Sequence, residues 1–156
     1  MIYEQLGNSI RKSITISDED LEIVLSYFKL VKKGKNEVLL AQGQISQETF
    51  FVAKGCLRIF FINEEGKDVT RYIAFENQFA TALVSFITKM PAAENIQVVE
   101  KSELLTISHE DFNHLMKIIP QWREFYSNYL EKAYVNNANR LCLLRLWMLW
   151  KDTLSF

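Results

Sequence analysis

Residues that build metal centres and disulfide frameworks are scarce in this 156-residue sequence, which has two cysteines and two histidines. Cys56 and Cys142 follow no metal-ligand spacing, so we expect both to be reduced packing residues, and we expect no metal or other cofactor. Proline and glycine are also few, at two and five residues, and no flexible or low-complexity segment separates two domains. The formal net charge of −1 gives no general attraction to nucleic acid or membranes.

Long hydrophobic runs are absent as well. No run approaches the about 20 apolar residues that a membrane-spanning helix needs. The N-terminal stretch "MIYEQLGNSIRKS" is mixed in charge and lacks the apolar core of a signal peptide. We therefore expect a cytoplasmic protein.

Residue patterns typical of enzymes are missing too. The sequence has no Walker or dinucleotide-binding glycine pattern. His109 and His114 are five positions apart, a spacing that does not place both on one helical face for a metal. Glu64 and Glu65 fall in a predicted turn, where a solvated pair is favoured over a catalytic dyad. We expect that the protein is not an enzyme.

Apolar side chains are abundant, since 49% of the residues are hydrophobic and 13% are aromatic. This composition suits one domain with a substantial core. Helices are predicted over residues 2–12 and after the N-caps Ser17 and Ser108. Pro120 is expected to end the last of these, and a long helix without glycine or proline follows over residues 121–144.

The region between these helices, residues 29–108, has the pattern of short strands. Two strands are predicted around Lys54-Gly55, a hairpin turn at Glu65-Gly66 and two more strands within residues 94–108, with one brief helix over residues 81–89. Strands of about five to seven residues at about ten-residue spacing indicate a small antiparallel β jelly roll. The sequence therefore predicts an α+β fold, in which N-terminal helices precede the jelly roll and a long C-terminal helix follows it.

Two stretches carry a resemblance to a known family: "FENQFATALVSFITKMPAAENIQVVEKSELLTIS" and "EDFNHLMKIIPQWREFYSNYLEKA". They resemble the cAMP receptor protein/Fnr (Crp/Fnr) family of bacterial transcription regulators, and in particular its Bacteroidetes branch. The resemblance extends to about Leu144. It implies a cyclic-nucleotide-binding-like sensory domain over residues 1–120 and a dimerisation helix over residues 121–144. It also implies a homodimer in which a ligand- or state-dependent shift of the long helices repositions two DNA-binding heads.

The resemblance also locates a ligand pocket. The Gly-Glu pair that binds the ribose in the family falls on Thr81-Ala82, and the Arg-Ser pair that binds the cyclic phosphate falls on Ala92-Ala93. Because both key side chains are replaced by methyl groups, we expect no tight binding of cAMP; the pocket holds a different ligand or is a filled core. The pocket candidates are Phe79, Ala80, Thr81, Ala82, Leu83, Ala92, Ala93, Asn136 and Asn137.

Asn136-Asn137 matches the polar pair that reaches the purine base in the family, but a polar step that sets the register of a helix pair is the favoured role. The long helix carries a stripe of residues at mixed three- and four-residue spacing, which suits a helix–helix seam. This stripe packs on its own roll, pairs with a second copy, or does both. Its members, the candidates for a dimer interface, are Trp122, Tyr126, Tyr129, Ala133, Asn136 and Arg140.

Residues 145–156 form an atypical tail, "RLWMLWKDTLSF". In the family this stretch leads into a winged helix-turn-helix, but here the pattern fails after "NRL", so the DNA-binding domain is expected to be missing. Consider the DNA of residues 146–153 read in the frame that starts at the third base of each codon. If the codons for Leu146 and Leu149 end in A, this shifted frame encodes "MDAMERY", which is the family's pattern. The hypothesis is a frameshift at about Cys142. A genomic sequence with no open shifted frame downstream would exclude it.

A different class of function stays open at this point. The chain could be a stand-alone ligand- or protein-binding module that uses the roll and the aromatic tail and has no role in DNA binding. In the first interpretation DNA is a partner only if the full-frame protein carries the missing helix-turn-helix. The effector is not identified by the sequence in either case.

Overall fold

The computed structural model describes residues 1–154. Helices lie at both ends of the chain and strands lie between them, which confirms the predicted α+β class with an antiparallel roll. The elements in chain order are α1 (Ile2–Ser13), α2 (Asp18–Ser26), β1 (Lys29–Lys33), β2 (Val38–Leu40), β3 (Glu48–Ile62), β4 (Asp68–Ala74), β5 (Phe79–Ala80), α3 (Leu83–Thr88), β6 (Asn95–Ser108), α4 (His109–Ile118) and α5 (Pro120–Leu154).

All strand pairs are antiparallel. The main path of the sheet runs β1-β6-β3-β4, while β2 pairs with β6 and β5 pairs with β3. The hairpin between β3 and β4 turns where the sequence predicts it, since Gly66 N donates to Asn63 O at 2.9 Å and Asn63 N donates to Lys67 O at 2.9 Å. Gly66 has φ +80°, a left-handed conformation that glycine adopts without steric cost.

The expectation of two strands around Lys54-Gly55 was wrong, because β3 is one strand of 15 residues. Its register against β6 shifts near Lys54 and Cys56, so the glycine forms a bulge that bends the strand without ending it. The side chain of Ser102 on β6 fills this bulge and accepts a hydrogen bond from Cys56 N at 3.1 Å. The two strands predicted within residues 94–108 are likewise the single strand β6.

The helix starts follow the predicted caps. Ser17 Oγ accepts from Asp20 N at 3.1 Å, and Ser108 Oγ accepts from Asp111 N at 3.1 Å. Pro120 has a different role from the one expected. It is the first residue of α5, a position where proline fits because the first turn of a helix leaves its N–H groups unpaired. The helix α5 also continues past 144 to Leu154 without a break.

Alternate residues of β3 face two separate apolar clusters, because successive strand residues point to opposite sides of a sheet. The helix-side core joins the helices to one side of the sheet and contains Leu6, Ile10, Ile14, Leu21, Val24, Phe28, Phe51, Ala53, Phe86, Leu105, Ile107, Phe112, Leu115, Ile119, Trp122 and Phe125. The roll core fills the other side and contains Leu40, Phe50, Val52, Leu57, Ile59, Ala74, Ala80, Ala82, Ala92, Ile96, Val98 and Leu104.

Both cysteines are free thiols, but only one of them packs. Cys56 is buried in the bulge of β3, and burial, with a smaller contribution from Glu100 and Glu76, raises the pKa of its thiol. The thiol therefore stays protonated at neutral pH and is a poor nucleophile. Cys142 is exposed on α5, which corrects the expectation that it is a packing residue within this chain.

Candidate functional site

The short helix α3 and the two segments that flank it hold the residues at which the resemblance places the ligand contacts. Ala82 is the N-cap of α3 and has no side-chain hydrogen bond to offer. Ala82 and Ala92 are only 3% and 5% exposed and belong to the roll core, while Ala93 is exposed. Apolar methyl groups therefore pack at the two positions that would have to supply charged contacts to a nucleotide.

A small cavity lies between α3, α4 and α5. Its volume is about 20 Å³, and since one water needs about 10–15 Å³, it has room for a water molecule but not for a nucleotide. Three of the predicted pocket residues, Phe79, Thr81 and Leu83, line it, and so do two of the predicted stripe residues. The full lining is Thr49, Phe79, Thr81, Leu83, Phe86, Phe112, Phe125, Tyr126 and Tyr129.

The polar groups at this cavity bind one another. The hydroxyls of Thr49 and Thr81 are hydrogen-bonded, and Thr106 Oγ1 donates to the Thr49 carbonyl at 3.1 Å. Burial is the largest influence on the Tyr129 phenol and raises its pKa, and the neighbouring Thr81 side chain opposes this more weakly. Burial also raises the pKa of Tyr72. Both phenols are therefore neutral at physiological pH, and the threonine hydroxyls are already partnered.

Phe79 is the aromatic centre that fastens α5 to the sheet. Its ring lies 5.2 Å from that of Phe51 on β3, 5.9 Å from Phe125 and 6.0 Å from Tyr129. These separations are typical of tilted and edge-to-face ring pairs, each of which contributes about 0.5–1.5 kcal/mol beyond burial. A ligand at this place would have to move several rings at once.

An ion pair lies on the roll beside α5. Arg71 on β4 and Glu94, just before β6, form a two-pronged contact in which Arg71 Nη2 lies 3.0 Å from Glu94 Oε1 and Arg71 Nε contacts Glu94 Oε2. On α5, Arg140 Nη1 donates to the backbone carbonyl of Arg71. Sequence reasoning missed Arg71 and Glu94, because they lie on different strands and no local pattern connects them.

The predicted asparagine pair does not join this site. Asn136 and Asn137 are exposed on α5, and neither lines the cavity. Ala80 is buried in the roll core and does not line it either.

The predicted dimer stripe divides into an inner and an outer part. Trp122 is fully buried in the helix-side core of its own chain, so its inclusion among the interface candidates was wrong. Its ring stacks on Phe125 with centroids 5.1 Å apart and contacts Phe112 at the same separation. Tyr126 and Tyr129 line the cavity and are half-buried. Among the later members, Ala133 is half-buried, and Asn136 and Arg140 are exposed.

The antiparallel roll, the short helix α3 and the long final helix α5 define the class of this domain. Residues 30–118 match the family model described as "Cyclic nucleotide-binding domain". This chain belongs to the cyclic nucleotide-binding domain family. The match confirms the predicted resemblance and agrees with the prediction that the protein is a binding module and not an enzyme.

The proteins to which this chain is similar include transcription regulators. The chain is 23% identical over 104 residues to the cAMP-activated global transcriptional regulator CRP of Salmonella typhimurium, with 67% of this chain and 50% of the relative covered. The catabolite activator protein of Thermus thermophilus superimposes with a TM-score of 0.73 at 22% identity, covering 83% of this chain and 61% of that one. A cyclic nucleotide-binding domain from Methylobacillus flagellatus gives a TM-score of 0.78 at 14% identity, covering 92% and 83%.

The chain spans about half the length of the curated relatives it matches. No helix within residues 1–154 is both long enough and apolar enough to cross a membrane. Among the same residues, no three His, Cys, Asp or Glu side chains lie together in a way that could hold a metal ion.

Proposed function

We propose that this chain is the sensory and dimerisation part of a cytoplasmic Crp/Fnr-type transcription regulator whose pocket does not bind cAMP tightly. The observation that carries the proposal is the burial of alanine at the two positions that would supply the charged contacts to a nucleotide. Ala82 and Ala92 are only 3% and 5% exposed and pack in the roll core. A charge-assisted contact to a phosphate contributes about 1.5–3 kcal/mol, and a methyl group supplies none of it.

The proposed dimer forms through the outer part of α5. Trp122 and Phe125 attach the start of this helix to its own domain, which leaves the later turns available to a second copy. Exposed apolar side chains occur along these turns, among them Tyr134 at 75% and Val135 at 52% exposure. We assign DNA binding to the helix-turn-helix that would follow in the shifted reading frame, and not to residues 1–154.

A calorimetric titration of the full chain with cAMP tests the ligand part of the proposal. We expect no saturable heat up to about 1 mM cAMP. A Kd of about 1 mM corresponds to a binding free energy of about −4 kcal/mol. Light scattering on the same samples is expected to give twice the mass of one chain, both with and without cAMP. The Salmonella CRP, whose name identifies it as cAMP-activated, is the positive control for the heat signal.

A Kd for cAMP below about 10 μM, or about −7 kcal/mol, would contradict the ligand part of the proposal. A mass of one chain at all concentrations would contradict the dimer and leave the ligand result unaffected. The two parts of the proposal can therefore fail separately.

One observation favours a second candidate function, a stand-alone module that binds another protein. Residues 141–150 of α5 are apolar except for Arg145, a composition typical of a helix that is covered by a partner. All of the following side chains are more than half exposed: Leu141, Leu143, Leu144, Leu146, Trp147, Met148, Leu149 and Trp150. An operator-binding assay on the full-frame protein separates the two functions, because an interaction module would show no preference for a DNA sequence.

A further inference from the structure

Two contacts join the middle of α5 to the roll. The first is the packing of the Tyr129 ring against Phe79 on β5, with the ring centroids 6.0 Å apart. The second is the hydrogen bond from Arg140 to the Arg71 carbonyl on β4. Tyr129 and Arg140 are about three helical turns, or about 16 Å, apart, so together these contacts fix the direction of the helix and not only one point on it.

The second contact depends on how firmly Arg71 is held. Its guanidinium is bound by both carboxylate oxygens of Glu94. The side chains of Arg71 and Glu94 are only 30% and 22% exposed, so solvent and salt screen this pair less than an ordinary surface pair. A two-pronged Arg–carboxylate contact also fixes the orientation of the guanidinium plane. The backbone carbonyl that Arg140 uses therefore belongs to a residue whose side chain is immobilised.

The position of Glu94 in the chain indicates what the Arg71–Glu94 ion pair does. It follows Ala92-Ala93 directly, the two positions whose side chains offer no charge to an anion. A protein carboxylate thus lies where the chain passes from α3 to β6, with a cation from β4 already bound to it. Because Glu94 is tethered, its effective concentration at Arg71 is of the order of mM or higher, and dissolved anions compete with it poorly.

We propose that Arg71 is an anion-binding site beside α5 and that Glu94 occupies it as an intramolecular carboxylate ligand. In this arrangement the chain itself supplies the anion that holds α5 against the roll. The site takes small carboxylates once Glu94 is removed. This inference rests on the proposed function only for the regulatory role of α5.

The test is chemical rescue of the variant Glu94→Ala, followed by hydrogen exchange of the full chain. We expect the amides of residues 126–140 to exchange about tenfold faster than in the unmodified chain, a change that corresponds to about 1.4 kcal/mol. Sodium acetate at about 0.1 M is expected to slow the exchange again, while sodium chloride at the same ionic strength, where screening is equal, is not. Glu94→Gln keeps the size of the side chain, removes its charge and is expected to behave in the same way before rescue.

Arg71→Met is the matched control, because it removes the cation and keeps most of the side-chain length. It is expected to speed exchange over residues 126–140 as Glu94→Ala does, with no response to acetate. Unchanged exchange in both Glu94 variants would overturn the proposal. An equal effect of acetate on the Arg71→Met chain would also overturn it, since the anion would then act elsewhere. These results do not depend on the titration with cAMP, so each proposal can fail without the other.

Discussion

Replacing Trp122 by alanine is expected to destabilise the domain by about 3–5 kcal/mol, the cost typical of removing a large buried aromatic side chain. The indole is fully buried and contacts the rings of Phe28, Phe112 and Phe125. Its loss would open a cavity where α2, α4 and α5 meet. Urea unfolding followed by far-ultraviolet circular dichroism measures the change. Because folded domains are stable by only about 5–15 kcal/mol, this single variant removes much of the total.

Two further variants make this result interpretable. Phe75→Ala removes an aromatic side chain that is 56% exposed and lies outside α5, and its expected effect is within about 0.5 kcal/mol. Trp122→Phe keeps most of the ring packing and removes the indole N–H, which has no hydrogen-bond partner within residues 1–154. Its expected cost is less than about 1.5 kcal/mol. A loss of less than about 1 kcal/mol in Trp122→Ala would show that the start of α5 does not pack on the core.

Gly55→Ala is expected to cost about 2–6 kcal/mol, because backbone strain and overpacking each contribute about 1–3 kcal/mol at this position. Gly55 has φ +105°, and an added Cβ would lie 2.1 Å from Ser102 Oγ and 2.8 Å from Ser102 Cα. The clash with the Cα is with backbone, so no change of rotamer can relieve it. The strands β3 and β6 would have to separate at the bulge. Urea denaturation of the two chains under the same buffer conditions gives the difference.

Gly43→Ala is the matched control for this prediction. Gly43 also has a positive φ, +91°, but no atom lies within 4 Å of the position of an added Cβ. It should therefore show the strain alone, about 1–3 kcal/mol. If Gly55→Ala cost no more than Gly43→Ala, the close packing of Ser102 against the bulge would not exist in solution.

The features that the sequence predicted well depend on neighbours along the chain. The caps Ser17 and Ser108 bind backbone amides three residues away, and the β3–β4 turn closes around Gly66 within five residues. Such contacts leave a local pattern that needs no knowledge of the fold. The class of the domain followed from the same kind of evidence, because strand and helix patterns alternate in a recognisable order.

The features that could not be predicted from the sequence depend on residues far apart in the chain. Gly55 reads as a break between strands until Ser102 is known to lie against it and to keep the ladder continuous. The sequence around Arg71 and around Glu94 resembles that of an ordinary protein surface. The two side chains pair only because β4 and the start of β6 lie together beside α5. The three- and four-residue spacing of the stripe on α5 identified a buried face, but not that Trp122 is buried by its own domain.

Because α5 is one continuous helix, a small tilt near its middle moves its far end by a larger distance. Arg140 is the last α5 residue tied to the roll by a described hydrogen bond, and the helix runs on to Leu154, about 21 Å further at 1.5 Å per residue. A tilt of about 10° at that point would move the far end by about 4 Å over this length. A rearrangement of one ion pair, too small to alter the fold of the roll, is thereby converted into a displacement large enough to change what the end of the helix can contact.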